Sequence, residues 1–327
     1  MTESTDWSIP SALQPRAQQL SFDLDAALQS VVQLRSEVAE DAFTAGVLGT
    51  ARSGNGIVLQ HAQQTVVLTV GYLITEAHSV WLTTYDGRIV AGHPLAYDQV
   101  TGFGLVLPLG ELNTPHLQLG STDSLVAGSE VLIIGHGGAS HSLNAKLLAK
   151  REFAGYWEYL LETALFTTPP HPQWGGTAMV DHHGKLAAVG ALLMQEATRG
   201  DTFDTNVFIP VDLLLPIIDD LLLTGKVNRP TRPWLGLYSA EQQGGHIVVA
   251  GVIEEGPAFR AGVRAGDLIE SVAGRHVKTL AEFYRTLWAQ GPAGSVVTLA
   301  VRRGKRTTTI DITSAARDDF LLQPRAH

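Results

Sequence analysis

Thr168-Pro169-Pro170-His171-Pro172-Gln173-Trp174-Gly175-Gly176-Thr177-Ala178-Met179-Val180, followed by Asp181-His182-His183-Gly184 and Lys185-Leu186-Ala187-Ala188-Val189-Gly190, decides how the rest of the chain reads. The prolines forbid regular structure at its start, and the Gly175-Gly176 pair permits a tight turn beside Trp174. The apolar run from Thr177, the Asp-x-x-Gly turn and the second apolar run then predict a β-hairpin.

Outward from this loop the chain keeps a β rhythm. Ser30-Val31-Val32-Gln33-Leu34, Asn55-Gly56-Ile57-Val58-Leu59, Thr65-Val66-Val67-Leu68-Thr69-Val70 and Ser79-Val80-Trp81-Leu82-Thr83-Thr84 are short apolar runs. Tyr85-Asp86-Gly87 joins the last of them to Arg88-Ile89-Val90 as a hairpin turn. Gly128–Gly135, Leu143–Phe153, Leu160–Thr167 and Asn206–Pro210 continue the series. Turns at roughly 8–12-residue spacing predict a barrel or sandwich. From Val211 the period changes. Asp212 is placed to cap a helix with Leu214, Leu215, Ile218, Leu221 and Leu222 on one face, and Gly225 stands past its end. Lys226–Pro233 reads as a polar, proline-rich linker. Residues 1–24, with Pro10 and Pro15, read as an arm that is poorly structured alone or draped over a neighbour. The last dozen residues read as a loose tail.

The 327 residues suffice for two or three compact units, and 45% hydrophobic with 17% charged residues is ordinary globular composition. A net charge of −9 argues against nucleic acid or an anionic membrane as the main partner. With no cysteine, disulfides, Cys-based zinc sites and thiol nucleophiles are excluded, while the redox compartment stays open. Met1–Trp7 is acidic and polar, unlike a secretory signal, and no run of 18 apolar residues occurs. The expectation is a cytoplasmic protein without a membrane span, or a periplasmic one if the natural chain is longer.

The frame around Trp174 resembles the nucleophile loop of the HtrA/DegP-type, trypsin-like serine proteases, where G-N-S-G-G-P precedes a strand, a D-G hairpin and a V-I-G-I strand. The resemblance implies a mainly β fold: a trypsin-like double β-barrel over 25–210, split near 115. A linker helix and linker (211–232), an α+β PDZ domain (233–315) and a tail (316–327) would follow. It also places the catalytic positions. The serine is Trp174, which has no proton to surrender and no nucleophilic lone pair. The general-base histidine falls on Tyr72 in Val67–Ile74, and a phenol with a pKa of about 10 is a poor base at neutral pH. The orienting aspartate falls on Gly102 in Tyr97–Leu107, where Asp98 matches an earlier, non-catalytic aspartate. The oxyanion-hole glycine two residues before the nucleophile falls on Pro172, which has no N–H. One lost donor costs roughly two to three orders of magnitude in rate. The reading is a degenerate member with no catalytic residues. Trp174, Tyr72 and Phe103 are expected to plug the old cleft, with Trp174 as floor of a ligand groove the alternative.

Two other chemistries stand beside this one. A rebuilt triad would draw on His78, His93, His136, His141 or His171 with Ser140, Ser142 or Thr177, although Gly135–Ser142 reads more simply as a surface loop. Twelve histidines invite a metal. Yet His182-His183 beside Asp181 is turn chemistry, and no helical H-x-x-x-H spacing occurs, so neither metal nor cofactor is expected. Tyr156-Trp157-Glu158-Tyr159 reads as an aromatic loop packed on the barrel.

The last unit resembles PDZ domains of the bacterial, protease-linked order. Arg232-Pro233-Trp234-Leu235-Gly236-Leu237, Gly256-Pro257-Ala258-Phe259-Arg260-Ala261-Gly262-Val263-Arg264-Ala265-Gly266-Asp267-Leu268-Ile269 and Val296–Gly304 carry the likeness. It implies that an extended peptide adds as a strand beside the one starting near Leu237 and Tyr238. The backbone N–H groups of Trp234-Leu235-Gly236-Leu237 would hold the terminal carboxylate. Phe283 and Leu287, on a helix over about Thr279–Trp288, would shape the pocket for an apolar last side chain, or be plain core. The function implied is a pseudoprotease acting as a peptide-binding, scaffold or regulatory protein in protein quality control. Its partners would be C-terminal or extended peptides of other proteins and an active homologue, in a homo-oligomer expected from the family to be a trimer. The alternatives are an active serine hydrolase with a rebuilt site and a purely structural assembly subunit.

Overall fold

The computed structural model describes residues 7–197, 201–242 and 244–322. These residues form two compact units: one of 7–151, 163–197, 201–227 and Leu322, the other of Glu152–Glu162 and Asn228–Leu321.

The first unit holds two closed six-stranded barrels. After the short helix α1 (Leu24–Gln29), capped by the Asp23 side chain, the first barrel is built from β1 (Val31–Val38), β2 (Ala51–His61), β3 (Gln64–Val70), β4 (Ala77–Thr83), β5 (Ile89–Tyr97) and β6 (Phe103–Pro108), ordered β1-β2-β3-β6-β5-β4. A one-turn helix, α2 (Ala45–Leu48), lies between β1 and β2. Strand β1 shows why the pattern closes a barrel: Leu34, Ser36 and Val38 are buried while Arg35 and Glu37 face solvent. Ile57, Leu59, Leu68, Leu82 and Leu105 complete a fully buried interior.

The second barrel comprises β7 (Glu130–Ile134), β8 (Ser142–Gly155), β9 (Tyr159–Thr168), β10 (Ala178–Val180), β11 (Leu186–Ala197) and β12 (Thr202–Pro210), ordered β10-β11-β12-β9-β8-β7. Ile133, Leu143, Leu165, Met179 and Phe208 form its core. The described part of the N-terminal arm packs on this barrel of its own chain. The Ile9 N–H donates to Ser140 O (2.8 Å), the Asn144 N–H donates to Leu13 O (2.8 Å), and Trp7 and Leu13 rest on the core. Residues 1–6 lie outside the described region.

The continuous helix expected from Asp212 is interrupted. A 3₁₀ turn covers Val211–Leu213, and helix α3 runs only over Ile218–Thr224. Pro216 is the reason, since it lacks an N–H and disfavours helical geometry at Leu215. Asp212 does not cap. It accepts hydrogen bonds from Ser121 Oγ (2.6 Å), Thr122 Oγ1 (2.7 Å) and the Thr122 N–H (3.0 Å). Gly225 ends α3 in the left-handed conformation (φ 71°).

The second unit is an antiparallel sheet of β13 (Leu237–Gln242), β14 (His246–Val252), β15 (Leu268–Val272), β17 (Val296–Arg303) and β18 (Arg306–Thr313), with β16 (Arg275–His276) paired to β15. Helices α4 (Pro257–Arg260) and α5 (Leu280–Trp288) accompany it. Strand β13 is an edge. Part of the expected tail is ordered in this unit: Arg317–Phe320 form a 3₁₀ turn and the Phe320 ring meets Trp234 at 4.9 Å, while 323–327 lie outside the described residues. Glu152–Glu162, which contains the aromatic stretch expected to pack on the barrel, belongs to this second unit. Among the described residues no helix is long and apolar enough to cross a membrane.

Helix α5 owes its start to Thr279, whose Oγ1 accepts the Glu282 N–H (3.1 Å). Thr279→Ala should cost about 1 kcal/mol, read as a roughly fivefold loss of hydrogen-exchange protection in the first turn of α5.

Candidate functional sites

The positions that the family resemblance marks as catalytic converge between the two barrels. The loop from 169 to 177, between β9 and β10, is pinned by Asn55 of β2. The Asn55 N–H donates to Gly175 O (2.8 Å), and its Nδ2 donates to Gln173 O and Gly175 O (both 3.1 Å). Its Oδ1 accepts the His136 N–H (2.8 Å). At Gly176 (φ 75°) a Cβ would lie 1.9 Å from Asn55 O, so this contact requires glycine. The turn bearing Tyr72 is braced by the buried Arg52, which donates to Tyr72 O and Thr75 O (2.8 Å each) and to Thr44 Oγ1 (2.7 Å). The carboxylate of Glu76 accepts the Thr44 N–H (2.7 Å) and closes this network.

On that frame Tyr72 Oη donates to Ala191 O (2.9 Å). Burial holds the Tyr72 phenol well above the ordinary tyrosine range, against a smaller opposing influence of the Trp174 side chain. Gly102 (φ 88°) is joined to this turn by its carbonyl, which accepts the Gly71 N–H (2.7 Å). The Asp98 carboxylate is turned into its own loop, accepting the Thr101 N–H (3.0 Å) and Oγ1 (2.7 Å). Pro172 is exposed. Phe103, expected in the cleft, is instead a fully buried strand residue of the first barrel, while Trp174 and Tyr72 are only half-buried.

The histidines and hydroxyls of the alternative triad are mostly occupied. Thr177 Oγ1 donates to Trp174 O (2.8 Å), Ser142 Oγ to Gly138 O (3.0 Å) and Thr69 Oγ1 to Asn55 O (2.7 Å). His171, wholly buried, accepts the Gln173 N–H at Nδ1 (3.1 Å) and faces His141 O through Nε2 (2.9 Å), which sets the Nε2–H tautomer. Burial lowers its pKa and that of His136, keeping both imidazoles neutral. His78 lies 3.9 Å from Glu37. Ser140 Oγ lies 3.0 Å from His141 Nδ1, but the same nitrogen faces Gly137 O (3.1 Å) and the ring packs against Trp7. The His182 and His183 rings meet at 3.8 Å, tilted by 43°, and no group of three metal-ligating side chains occurs among the described residues.

The second site lies within the second unit. The backbone N–H groups of Leu235 (3.1 Å), Gly236 (2.8 Å) and Leu237 (2.9 Å) all donate to the side-chain carboxylate of Glu158. Gly236 (φ 77°) gives the bend that lets neighbouring N–H groups converge on an anion. Glu158 is 4% exposed. Burial pushes its carboxyl up to about 7, against those three donors and the nearby charge of Arg317. Next to it the Ser239 N–H, on edge strand β13, donates to Tyr156 O (2.9 Å), and Tyr238 meets the Tyr156 ring at 5.7 Å. Tyr284 of α5 donates to Gly155 O (2.7 Å) and accepts the Glu158 N–H (3.3 Å). Phe283 and Leu287 are wholly buried in the core with Leu235, Leu237 and Leu160, and Trp234 is buried against Phe320. Sequence reasoning missed Asn55, Ala191, Glu158 and Tyr284. The signal for Asn55 was a polar residue between two glycines in an apolar run; the others act through partners distant in sequence.

Residues 54–189 match the model of the trypsin-like peptidase domain, and residues 233–313 match that of the PDZ domain. Chloroplastic Protease Do-like 1 of Arabidopsis thaliana is 27% identical over 308 residues, covering 86% of this chain and 68% of its own length. Serine protease Do-like HtrA of Lactobacillus helveticus is 22% identical over 80% of this chain and 68% of its own. The probable periplasmic serine endoprotease DegP-like of Pseudomonas fulva is 23% identical, and the chain spans 54% of its length. Among solved structures, the HtrA-type protease AlgW with decapeptide superposes with a TM-score of 0.55 at 20% identity, covering 90% of this chain and 99% of that one. The likeness is one of fold.

Tyr72→Phe removes the hydrogen bond to Ala191 O and should lower stability by about 1 kcal/mol, measured by chemical denaturation against wild type. For Glu158 the sign is set by its raised pKa. Released, the carboxyl has its ordinary value of 4.5; docked, it has about 7. Between the two, the docked state carries the extra proton, so this contribution is full below 4.5 and is lost as pH rises through 7. Thermal unfolding of the second unit across that window should show the decline, and Glu158→Gln should remove it.

Proposed function

Starting from an HtrA/DegP-like chain that joins a trypsin-like peptidase domain to a PDZ domain, we propose that the protein is a catalytically inactive member that works by binding. One observation carries this reading: the phenol at the position of the base is spent as a donor to Ala191 O (2.9 Å), beside an indole at the position of the nucleophile. A phenol that donates to a carbonyl and ionises only above its ordinary range cannot take a proton at neutral pH. The neighbouring hydroxyls of Thr177 and Thr69 are themselves committed as donors to carbonyls. Gly102 has no carboxylate to orient a base, and Pro172 has no N–H to place in an oxyanion hole. The relatives are named as proteases; these four positions are where this chain departs from that chemistry.

The working part is the PDZ domain, with peptides carrying a free C-terminal carboxylate as ligands and an active homologue as regulated partner. Assembly as a homotrimer, a role in protein quality control and a cytoplasmic location belong to the same proposal. A second reading, a serine hydrolase with a rebuilt site, rests on the 3.0 Å contact of Ser140 with His141.

An unfolded, fluorescently labelled casein incubated for many hours with micromolar protein should remain intact, and Trp174→Ala should behave identically. A serine-directed fluorophosphonate should leave the chain unlabelled. Cleavage by the wild type, or a covalent adduct on Ser140, would overturn the proposal.

A further inference from the structure

The groove that a PDZ domain offers to a peptide has three parts: an anion-binding loop, an open strand edge and an apolar pocket. In the second unit all three are engaged by one continuous segment of the same chain, Gly155–Leu160. The anion site is taken by Glu158, on which the N–H groups of Leu235, Gly236 and Leu237 converge. The strand edge of β13 is met by Tyr156, whose carbonyl accepts the Ser239 N–H. The apolar part is met by Leu160, 6% exposed and within the same buried cluster as Leu237, Phe283 and Leu287.

This segment is built to present the carboxylate. Glu158 stands in the left-handed backbone region (φ 60°), unusual for a residue with a Cβ, and this turns its side chain where a chain terminus would otherwise lie. Tyr284 holds the turn on both sides, donating to Gly155 O and accepting the Glu158 N–H. At the base of the segment Arg285 of α5 pairs with both Glu152 and Glu162, its Nε reaching Glu162 Oε1 at 3.0 Å. Trp157 stacks on Tyr159 at 5.6 Å and closes the turn on itself.

We propose that Gly155–Leu160 is a resident ligand of the PDZ groove, with the Glu158 carboxylate standing in for a C-terminal carboxylate, and that partner peptides enter only by displacing it. The inference rests on the PDZ unit being the working part. It adds that the groove is closed at rest, so that affinity for any peptide is reduced by the fraction of molecules in which the segment is released. The competing ligand is an extended peptide with a free carboxylate and an apolar last residue, because those are the groups the segment imitates. A peptide lacking the terminal charge meets the same strand edge without an anion for the three N–H donors.

The test uses the full chain and a fluorescein-labelled ten-residue peptide ending in leucine, as free acid and as C-terminal amide, followed by fluorescence polarisation. Glu158→Ala should bind the free acid at least about tenfold more tightly than wild type, a gain expected when a competing closed state is removed. The amide should bind that variant more weakly than the free acid does, because it brings no anion to the three N–H donors. Glu158→Gln, which keeps the side-chain volume, should lie between them and serves should Glu158→Ala fold poorly. Hydrogen exchange at Leu235, Gly236 and Leu237 gives an independent readout: slow in wild type, fast in the variants, and slowed again by the free acid. Equal affinity of wild type and Glu158→Ala overturns the resident-ligand proposal while leaving the PDZ reading intact. No binding by a variant whose loop amides exchange fast overturns both.

Discussion

Three backbone N–H groups, those of Leu235, Gly236 and Leu237, converge on one point, and each would cost about 1–3 kcal/mol if buried without an acceptor. A PDZ domain with an open groove leaves them to water or to a ligand. Here the side-chain carboxylate of Glu158, within the aromatic-rich turn Tyr156–Tyr159, satisfies all three. Much of the second unit follows from that contact: the left-handed backbone at Glu158, the bridging phenol of Tyr284, and the place of Leu160 in the core. Desolvation is what makes the contact conditional. The carboxyl is buried enough that its charge is costly even with three donors, which raises its pKa into the physiological range.

Hydrogen-bond satisfaction governs the cleft between the barrels as well. A serine protease of this fold leaves a nucleophile and a base with unspent proton-transfer capacity. In this chain the groups at the corresponding positions are knitted into the structure: Tyr72 to Ala191 O, Thr177 to Trp174 O, Asn55 to Gly175 O. Such a network rigidifies the loop. The loop's shape nevertheless persists, because Asn55 and the left-handed Gly176 hold its backbone independently of what occupies the nucleophile position.

The fold was largely legible along the chain. Alternation in runs such as Leu34-Arg35-Ser36-Glu37-Val38 specifies strands with one buried face, and Asp86-Gly87 specifies the turn between β4 and β5. The helix after the barrels was read too long, because the apolar spacing across Leu214, Ile218 and Leu221 outweighed the break that Pro216 imposes. Phe103, expected in the cleft, instead pairs with Val70 of β3 and is fully buried in the first barrel. The arm was read as loose because its few apolar residues cannot form a core alone; Trp7, Ile9 and Leu13 instead join one already formed by the second barrel.

By itself the sequence determined which chemical groups stand at the positions that the family resemblance marks as catalytic. Identity is a covalent fact: an indole at 174, a phenol at 72, no side chain at 102 and no N–H at 172 hold in any conformation. The resemblance to PDZ domains also marked Leu235–Leu237 as a loop for an anion, with Gly236 as its bend. Only the tertiary structure decided what fills these sites. Glu158 and Leu235 are 77 positions apart, and Tyr72 and Ala191 are 119 apart. No local propensity relates such residues, because their pairing is set by which strands close the barrels and where the segment between β8 and β9 is held.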